Sequence, residues 1–297
     1  MPWSRWPGPT WRRTPTPPEY GAVSANLLRS ARRLLRRKER ERDRRFLAEG
    51  PQAVAEALAA GATDEVLVAD ELVERHRPLL DRATANGVRV SVAASTALAD
   101  LADTVHPQGV LAICRSIDLP LTQVLRGSPR LVVLCDQIRD PGNLGTVIRC
   151  ADAFGADAVL VSRNSVDLYN PKAVRASTGS LFHLPLAVEV DLDEAVTLAR
   201  AAGLAVLGAD GNATETTEDL ARTGALARPV LWVLGNEAWG LPAERADRLD
   251  RLVGLPMYGR AESLNLATAA AVLLYATATA QRASEPQTQM PRTAAHS

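Results

Sequence analysis

The chain has 297 residues, 46% of them hydrophobic, and a formal net charge of zero. That is enough apolar material for a substantial core, and enough length for about two domains, which excludes a disordered or fibrous protein. No segment combines the length and apolar character of a membrane span or of a signal-peptide core, so a soluble, cytoplasmic protein is expected.

The neutral total hides an asymmetry. Residues 1–50 carry 13 arginines and lysines against 5 acids, which leaves 21 basic against 29 acidic side chains in the remainder. A basic segment on an acidic body suits a polyanionic partner at the N-terminal end, although a solvated helix rich in charge reads the same way. Cys114, Cys135 and Cys150 lack CxxC spacing, and the four histidines are scattered. No metal site is expected, and the cysteines read as buried free thiols in a reducing compartment.

Residues 1–23, rich in Pro, Trp and Arg, are expected to form a disordered tail, as are 285–297. From Ser24, which fits an N-cap, the apolar stripe Leu27, Leu28, Ala31, Leu34 and Leu35 predicts a helix. It is read as continuing through the basic residues to 45. A second helix is predicted over 51–61, with Pro51 in its first turn and Gly61 past its end. Strands are predicted at 64–69, 88–94 and 109–115 with helices between them, giving a small α/β domain over 24–118. The segment 116–130, with two prolines and a glycine, reads as a linker, and the domain boundary is placed within it at 119–129. Over 130–284 the pattern alternates. Strands are predicted at 131–135, 157–162, 204–208, 230–234 and near 251–255, and helices at 144–154, 171–180, 192–202 and 263–282. Such alternation implies a mostly parallel sheet covered on both faces. In sheets of that kind ligands bind at the carboxyl ends of the strands.

Three loops lie there. After the strand at 131–135 comes "DQIRDPGNLGTVIR", whose DPGN is a turn signal feeding a helix. Its glycine spacing matches neither a dinucleotide fingerprint nor a Walker loop, which argues against a nucleotide-dependent oxidoreductase. Taken alone, Asn143 reads as a helix cap and Arg149 as the partner of an acid such as Asp152. After 230–234 comes "GNEAWGLP", in which Gly-x-Glu-x-x-Gly lets backbone approach a ligand closely. After 251–255 comes "PMYGRAESLNLA". Ser263 can cap the last helix, and Asn265 falls in its first turn, where free N–H groups favour an anion.

In this order the three loops resemble the SpoU-type RNA ribose 2′-O-methyltransferases of the SPOUT superfamily. Asn143-x-Gly145-x-x-x-Arg149 matches the first family motif and Gly235-x-Glu237-x-x-Gly240 the second. Leu255-Pro256-Met257-x-Gly259 followed by Ser263-Leu264-Asn265 matches the third. The likeness covers 26–282, because "FLAEGPQAVAEAL" (46–58) resembles the family's ribosomal-protein-like RNA-binding domain. Ala267 departs from the family, in which many members have Ser.

The resemblance implies a C-terminal SPOUT domain with a trefoil knot, a fold that ordinary topology rules disfavour. It also implies a homodimer formed through that domain, and S-adenosyl-L-methionine held by backbone around Gly235, Leu255, Met257 and Leu264. The implied reaction is methylation of a ribose 2′-hydroxyl, with Arg149, Asn143, Glu237, Ser263 and Asn265 as catalytic residues. A general-base arginine is physically awkward. A guanidinium holds its proton so far above neutrality that losing it near pH 7 costs roughly 8–9 kcal/mol. An electrostatic and phosphate-orienting role fits its fork better. RNA is the implied partner, gripped by Arg32, Arg33, Arg36, Arg37, Arg44 and Arg45, with large-subunit rRNA favoured over tRNA. A non-catalytic RNA-binding relative is the alternative, against which the intact motifs stand.

Overall fold

The computed structural model describes residues 20–102, 104 and 107–284. The expected tails at 1–19 and 285–297 lie outside the described residues.

In chain order the first half contains β1 (Gly21–Ala22), α1 (Ala25–Arg33), α2 (Arg37–Asp43), β2 (Arg45–Glu49) and α3 (Pro51–Ala59). It continues with β3 (Thr63–Ala69), α4 (Val73–Ala85), β4 (Arg89–Ala93), α5 (Ser95–Ala99) and β5 (Val110–Arg115). The strands form one sheet in the order β1-β4-β3-β5-β2, with β5 antiparallel to both its neighbours. Ser24 caps α1, its hydroxyl accepting from the Leu27 amide. The basic segment is not one helix to 45. It breaks after Arg33, restarts at Arg37, and ends where Arg44 turns to φ 49° and releases Arg45 into β2. Residues 21 and 22, expected in the tail, instead pair with β4.

The second half comprises α6 (Leu121–Val124), β6 (Leu131–Cys135), α7 (Pro141–Phe154), β7 (Ala158–Ser162), α8 (Pro171–Ser177) and β8 (Leu186–Val190). Then follow α9 (Leu192–Ala201), β9 (Ala205–Ala209), α10 (Thr217–Arg222), β10 (Val230–Leu234), α11 (Ala243–Ala246), β11 (Arg251–Val253) and α12 (Leu266–Ala283). Its sheet runs β11-β9-β10-β6-β7-β8, and every pairing in it is parallel. Strands β6 and β10 are buried along their whole length, as their uninterrupted apolar sequences require. Strand β8, which the sequence reading passed over, is an edge strand containing Glu189 at φ 54°, so its apolar signal is short and broken. Helix α12 closes one face. Trp232 of β10, fully buried, donates to Thr277 Oγ1 at 3.0 Å, and Gln281 Nε2 donates to the Arg130 and Arg228 carbonyls.

Ionic and aromatic contacts join the two halves. Arg40 is 3% exposed and donates through Nε and Nη2 to Asp167 Oδ2 at 2.8 and 2.5 Å, and through Nη1 to the Leu34 carbonyl. Arg37 reaches Glu189 at 2.9 Å. Phe46 of β2 stacks on Tyr169 with centroids 4.5 Å apart. His183 lies between acids of both halves, 2.8 Å from Asp152 on α7 and 3.2 Å from Glu56 on α3. Only an imidazolium donates at both nitrogens. The Asp152 hydrogen bond, helped by Glu56 and opposed by desolvation, raises its pKa above the usual 6.5. A raised folded-state pKa gives stability that is complete below about 6.5 and is lost as pH rises through the folded value. In urea unfolding, the advantage of the wild type over His183→Gln is therefore expected to shrink from pH 6 to pH 9. A gap that does not change with pH would contradict the bridge.

Candidate functional site

The carboxyl ends of β6, β10 and β9 are in register, Leu234 facing both Cys135 and Ala209, and Val253 of β11 also pairs with Ala209. Successive strands β6, β7 and β8 build outward on one side of β6, whereas β10, β9 and β11 lie on the other. The boundary between β6 and β10 is thus a topological switch point, where parallel sheets place their ligand crevices. All three motif loops converge on it or beside it.

The loop after β6 turns into α7 through Asp140. Its carboxylate caps the helix by accepting from the Asn143 amide at 2.8 Å, and it is paired with Lys172 of α8 at 2.8 Å. The Lys172 hydrogen bond is the main reason its pKa lies below the usual carboxylate value. Asp140, not Asn143, is therefore the cap, which frees the Asn143 side chain. Gly145 serves packing, because a Cβ there would sit 2.3 Å from the Ala173 carbonyl of α8. After β10, a Cβ on Gly235 would meet the Gly240 carbonyl at 2.5 Å. The loop between these glycines closes on itself through reciprocal Asn236–Gly240 backbone bonds of 3.0 and 2.9 Å. The buried Asn236 amide anchors it to the Gln137 carbonyl at 2.7 Å. After β11, Asn265 rather than Ser263 caps α12, so the helix begins at Leu266 and not at 263.

The cap at Asn265 starts a directional relay. Its Oδ1 accepts from the Ala267 and Thr268 amides at 2.9 and 3.3 Å, so its NH2 must point the other way. That NH2 donates to Asn143 Oδ1 at 3.0 Å, and the Asn143 NH2 donates to Glu237 Oε1 at 3.0 Å. Glu237 also accepts from the Arg139 and Asp140 amides, each at 3.1 Å. Partial desolvation pushes the Glu237 pKa up. Bonds from Asn143, from its own amide and from those of Arg139 and Asp140 outweigh this, and its pKa falls below the usual value.

Beside the relay is a cleft of about 400 Å³ whose apolar lining includes Leu234, Leu255 and Leu273. Asn143, Glu237, Ser263 and Asn265 line it, together with Gly235, Met257 and Leu264. Eight of the nine predicted catalytic and cofactor residues thus share one cleft. Arg149, the ninth, is not among its lining. It lies on the exposed side of α7, about 9 Å further along the helix axis than Asn143, and donates to Thr178 Oγ1 at 3.4 Å. Its anticipated partner Asp152 is engaged by His183.

Five of the six predicted RNA-gripping arginines sit in ion pairs. Arg32 pairs with Asp100, Arg33 with Glu39, Arg37 with Glu41 and Glu189, Arg44 with Asp118, and Arg45 with Asp64. Arg36 has no acid partner among the described residues. Sequence reasoning missed Asp136, 1% exposed at the end of β6, whose two oxygens accept from Arg245 Nη1 at 2.7 and 2.9 Å. The pair fastens the segment after the Glu237 loop to β6. An acid directly after the apolar run LVVLC was the available signal. Cys114 and Cys135 are buried, their thiols pushed up to about 12 by desolvation, and no acid, His or Cys cluster among the described residues suits a metal.

Residues 130–275 match the model of the SpoU rRNA Methylase family, and residues 26–112 match the MRM3-like substrate binding domain. The chain is 35% identical over 245 residues to the 23S rRNA (guanosine(2553)-2′-O)-methyltransferase RlmP of Bacillus subtilis, covering 82% of this chain and 92% of that protein. The chain belongs to the SpoU rRNA methylase family.

A second relative in the SpoU family, the 23S rRNA (uridine(2479)-2′-O)-methyltransferase of Streptomyces viridochromogenes, is 34% identical over 89% of this chain and 92% of its own length. Among solved structures, the SpoU methyltransferase AviRb of the same organism in complex with AdoMet superposes with a TM-score of 0.76 at 32% identity, covering 88% of this chain and all of that one. An AdoMet-bound rRNA methyltransferase of Sinorhizobium meliloti gives 0.75 at 30% identity, covering 90% of this chain and 98% of that one.

The relay joins the three motif loops, since each supplies one of its side chains. Glu237→Ala removes the acceptor of two backbone amides. Charge-assisted bonds of this kind contribute about 1.5 kcal/mol or more, roughly tenfold in an opening equilibrium. Hydrogen exchange at Arg139 and Asp140 is expected to accelerate about tenfold in this variant, with β6 and β10 unaffected. Unchanged protection at both amides would contradict the relay.

Proposed function

We propose that this chain is an S-adenosyl-L-methionine-dependent RNA ribose 2′-O-methyltransferase whose substrate is large-subunit 23S rRNA, acting in the cytoplasm. The observation that carries the reading is the Asn265–Asn143–Glu237 relay at the switch-point cleft. The named relatives above, both 23S rRNA enzymes, favour rRNA over tRNA.

The cleft suits the cofactor. Its volume lies in the range of small-molecule sites, its walls mix apolar and polar side chains, and Asp210 and Glu262 among its lining suit a cationic sulfonium. Backbone at Gly235, Leu255, Met257 and Leu264 would hold it. When bound, S-adenosyl-L-methionine would supply an electrophilic methyl group for a ribose 2′-oxygen. The chain's own part is positioning, which contributes several kcal/mol when attack geometry is fixed. Each relay asparagine spends one N–H on the relay and keeps another for a ribose or phosphate oxygen. Ser263 adds a hydroxyl at the same edge. Arg149 orients the phosphate and stabilises developing charge, and phosphate or water accepts the proton.

The paired arginines remain compatible with RNA. Arg32, Arg33, Arg37, Arg44 and Arg45 have side chains 46–60% exposed, and such surface pairs are worth only about 0–1 kcal/mol. RNA phosphates can therefore displace the acids, and Arg36 is free to join them. A homodimer is favoured by α12, which exposes Val272 and Tyr275 while burying Leu273 and Leu274. The reading includes the family's trefoil knot, and the 210–217 segment lies beside β11 through Asp210–Val253, Gly254–Glu215 and Thr217–Gly254 backbone bonds.

The test is incubation with methyl-labelled cofactor and, separately, 23S rRNA, 16S rRNA and bulk tRNA. Label is expected in 23S rRNA, within an alkali-resistant dinucleotide. Label in tRNA would overturn the substrate, and absence of transfer to any RNA despite cofactor binding would contradict the activity. Arg149→Lys is expected to lower turnover about a hundredfold with cofactor affinity unchanged. Near-normal turnover would refute the bidentate role.

A further inference from the structure

The large apolar side chains exposed among the described residues are Trp239, Met257, Tyr258, Leu264, Val272 and Tyr275. The first four sit on the loops that form the cleft. Met257 and Leu264 line it, whereas Trp239, 53% exposed, follows the lining residue Glu237 by two positions. An indole is costly to leave in water, and here it stands on a loop with little freedom. The loop is closed by the Asn236–Gly240 backbone bonds and tied by Asn236 to the Gln137 carbonyl. A flat apolar surface held on a rigid mount suits a flat partner.

The loop before α7 is the one to which it is tied, and it carries Arg139. The Arg139 amide donates to Glu237 at 3.1 Å, so the two loops touch within two residues of Trp239. Arg139 is exposed, and its guanidinium meets no acid among the described residues, unlike most arginines of the N-terminal segment. The nearby acids are engaged, Asp140 by Lys172 and Glu237 by Asn143 and backbone amides. An unspent cation and an exposed indole therefore stand on adjoining, mutually bonded loops at the edge of the cleft.

Building on the RNA methyltransferase reading, we propose that Arg139 and Trp239 clamp one unstacked nucleotide of the substrate RNA, Trp239 against its base and Arg139 on its phosphate. The charge is right for a phosphodiester, and aromatic stacking needs a base with an open face. A-form duplex hides its base faces, so the clamp selects single-stranded RNA or a loop over continuous helix. Stacking on an aromatic side chain tolerates any base, so the pair fixes strand conformation and register rather than sequence. Both residues are positioning residues, with no part in the bond-making step.

The experiment uses the full chain and two probes, a 12-nucleotide single-stranded oligoribonucleotide and the same strand in a perfect duplex. RNA affinity, cofactor affinity and methyl transfer to 23S rRNA are measured side by side. Trp239→Ala is expected to weaken single-strand binding about 5- to 100-fold, with cofactor affinity held within about twofold. Trp239→Phe, which keeps a ring, is expected to restore most of the loss. Arg139→Ala is expected to reduce the slope of log affinity against log salt by about 0.7, the value for one single-strand phosphate contact. Wild type that methylates 23S rRNA while Trp239→Ala binds the single strand equally well would overturn the clamp and leave the enzyme reading standing. Loss confined to duplex binding, or a change of oligomeric state with RNA affinity per subunit unchanged, would also overturn it. Cofactor binding without any RNA binding or methylation by the wild type would sink the enzyme reading and the clamp together.

Discussion

Asn143 divides its carboxamide between two partners far off in the chain, Glu237 at a separation of 94 residues and Asn265 at 122. The direction of each bond is set elsewhere. Asn265 must turn its oxygen to the first amides of α12, which leaves only its NH2 for Asn143. Asn143 must then present its NH2 to a carboxylate, and Glu237 supplies one kept ionised by the amides around it. No member can be replaced by its acid or amide isostere without setting acceptor against acceptor or donor against donor. An aspartate at 143 would face Glu237 with like charge, and a glutamine at 237 would aim an NH2 at backbone N–H groups.

Around this relay the fold performs support. Register among β9, β10, β6 and β11 brings the loop starts to one level. Gly145 allows α8 to press against α7, and Gly235 allows the Glu237 loop to fold back on itself. The buried Asp136–Arg245 pair and Asn236 fix the loop's two ends. The N-terminal half is held to this framework by a shared apolar core, in which Phe46 stacks on Tyr169, and by charge. Arg40 lies buried against Asp167, and His183 spans Asp152 and Glu56. Part of the basic surplus seen in residues 1–50 is thus spent on joining the two sheets, and only the exposed arginines are left for a polyanion.

Much of this was legible beforehand. Strands β6 and β10 were read to the residue, because a run such as LVVLC or VLWVL bounded by polar turns admits little else. The cleft residues were implied by the resemblance of three motifs, in fixed order, to the SpoU-type family, since the three together constrain far more than any one. Side-chain partners were not legible. Ser263 and Asn265 are both competent caps in sequence, and only the start of α12 at Leu266, which sets Asn265 Oδ1 against the Ala267 and Thr268 amides, distinguishes them. Arg149 stood in the motif with the rest, yet nothing in the spacing tells that its side chain lies outside the cleft lining of its own chain. The helix expected to run unbroken to 45 is interrupted after Arg33, where Arg36 turns extended, and its second piece stops at a left-handed Arg44 that no propensity announces. Asp136 was passed over since a charged residue after a strand normally faces water, whereas this one is buried against Arg245.

The most direct test of the account is a double-mutant cycle on Asn143→Ala and Asn265→Ala, read as affinity for S-adenosyl-L-methionine by calorimetry. Affinity is the better readout because Asn265→Ala also removes a helix cap, which lowers stability by about 1 kcal/mol on its own. If the relay is one unit, either change breaks it and the second adds little. The expected result is a loss in the double variant smaller than the sum of the single losses by about 0.5 kcal/mol or more. Additive losses, within about 0.3 kcal/mol, would mean that the two side chains act independently and that the relay does not hold the site together.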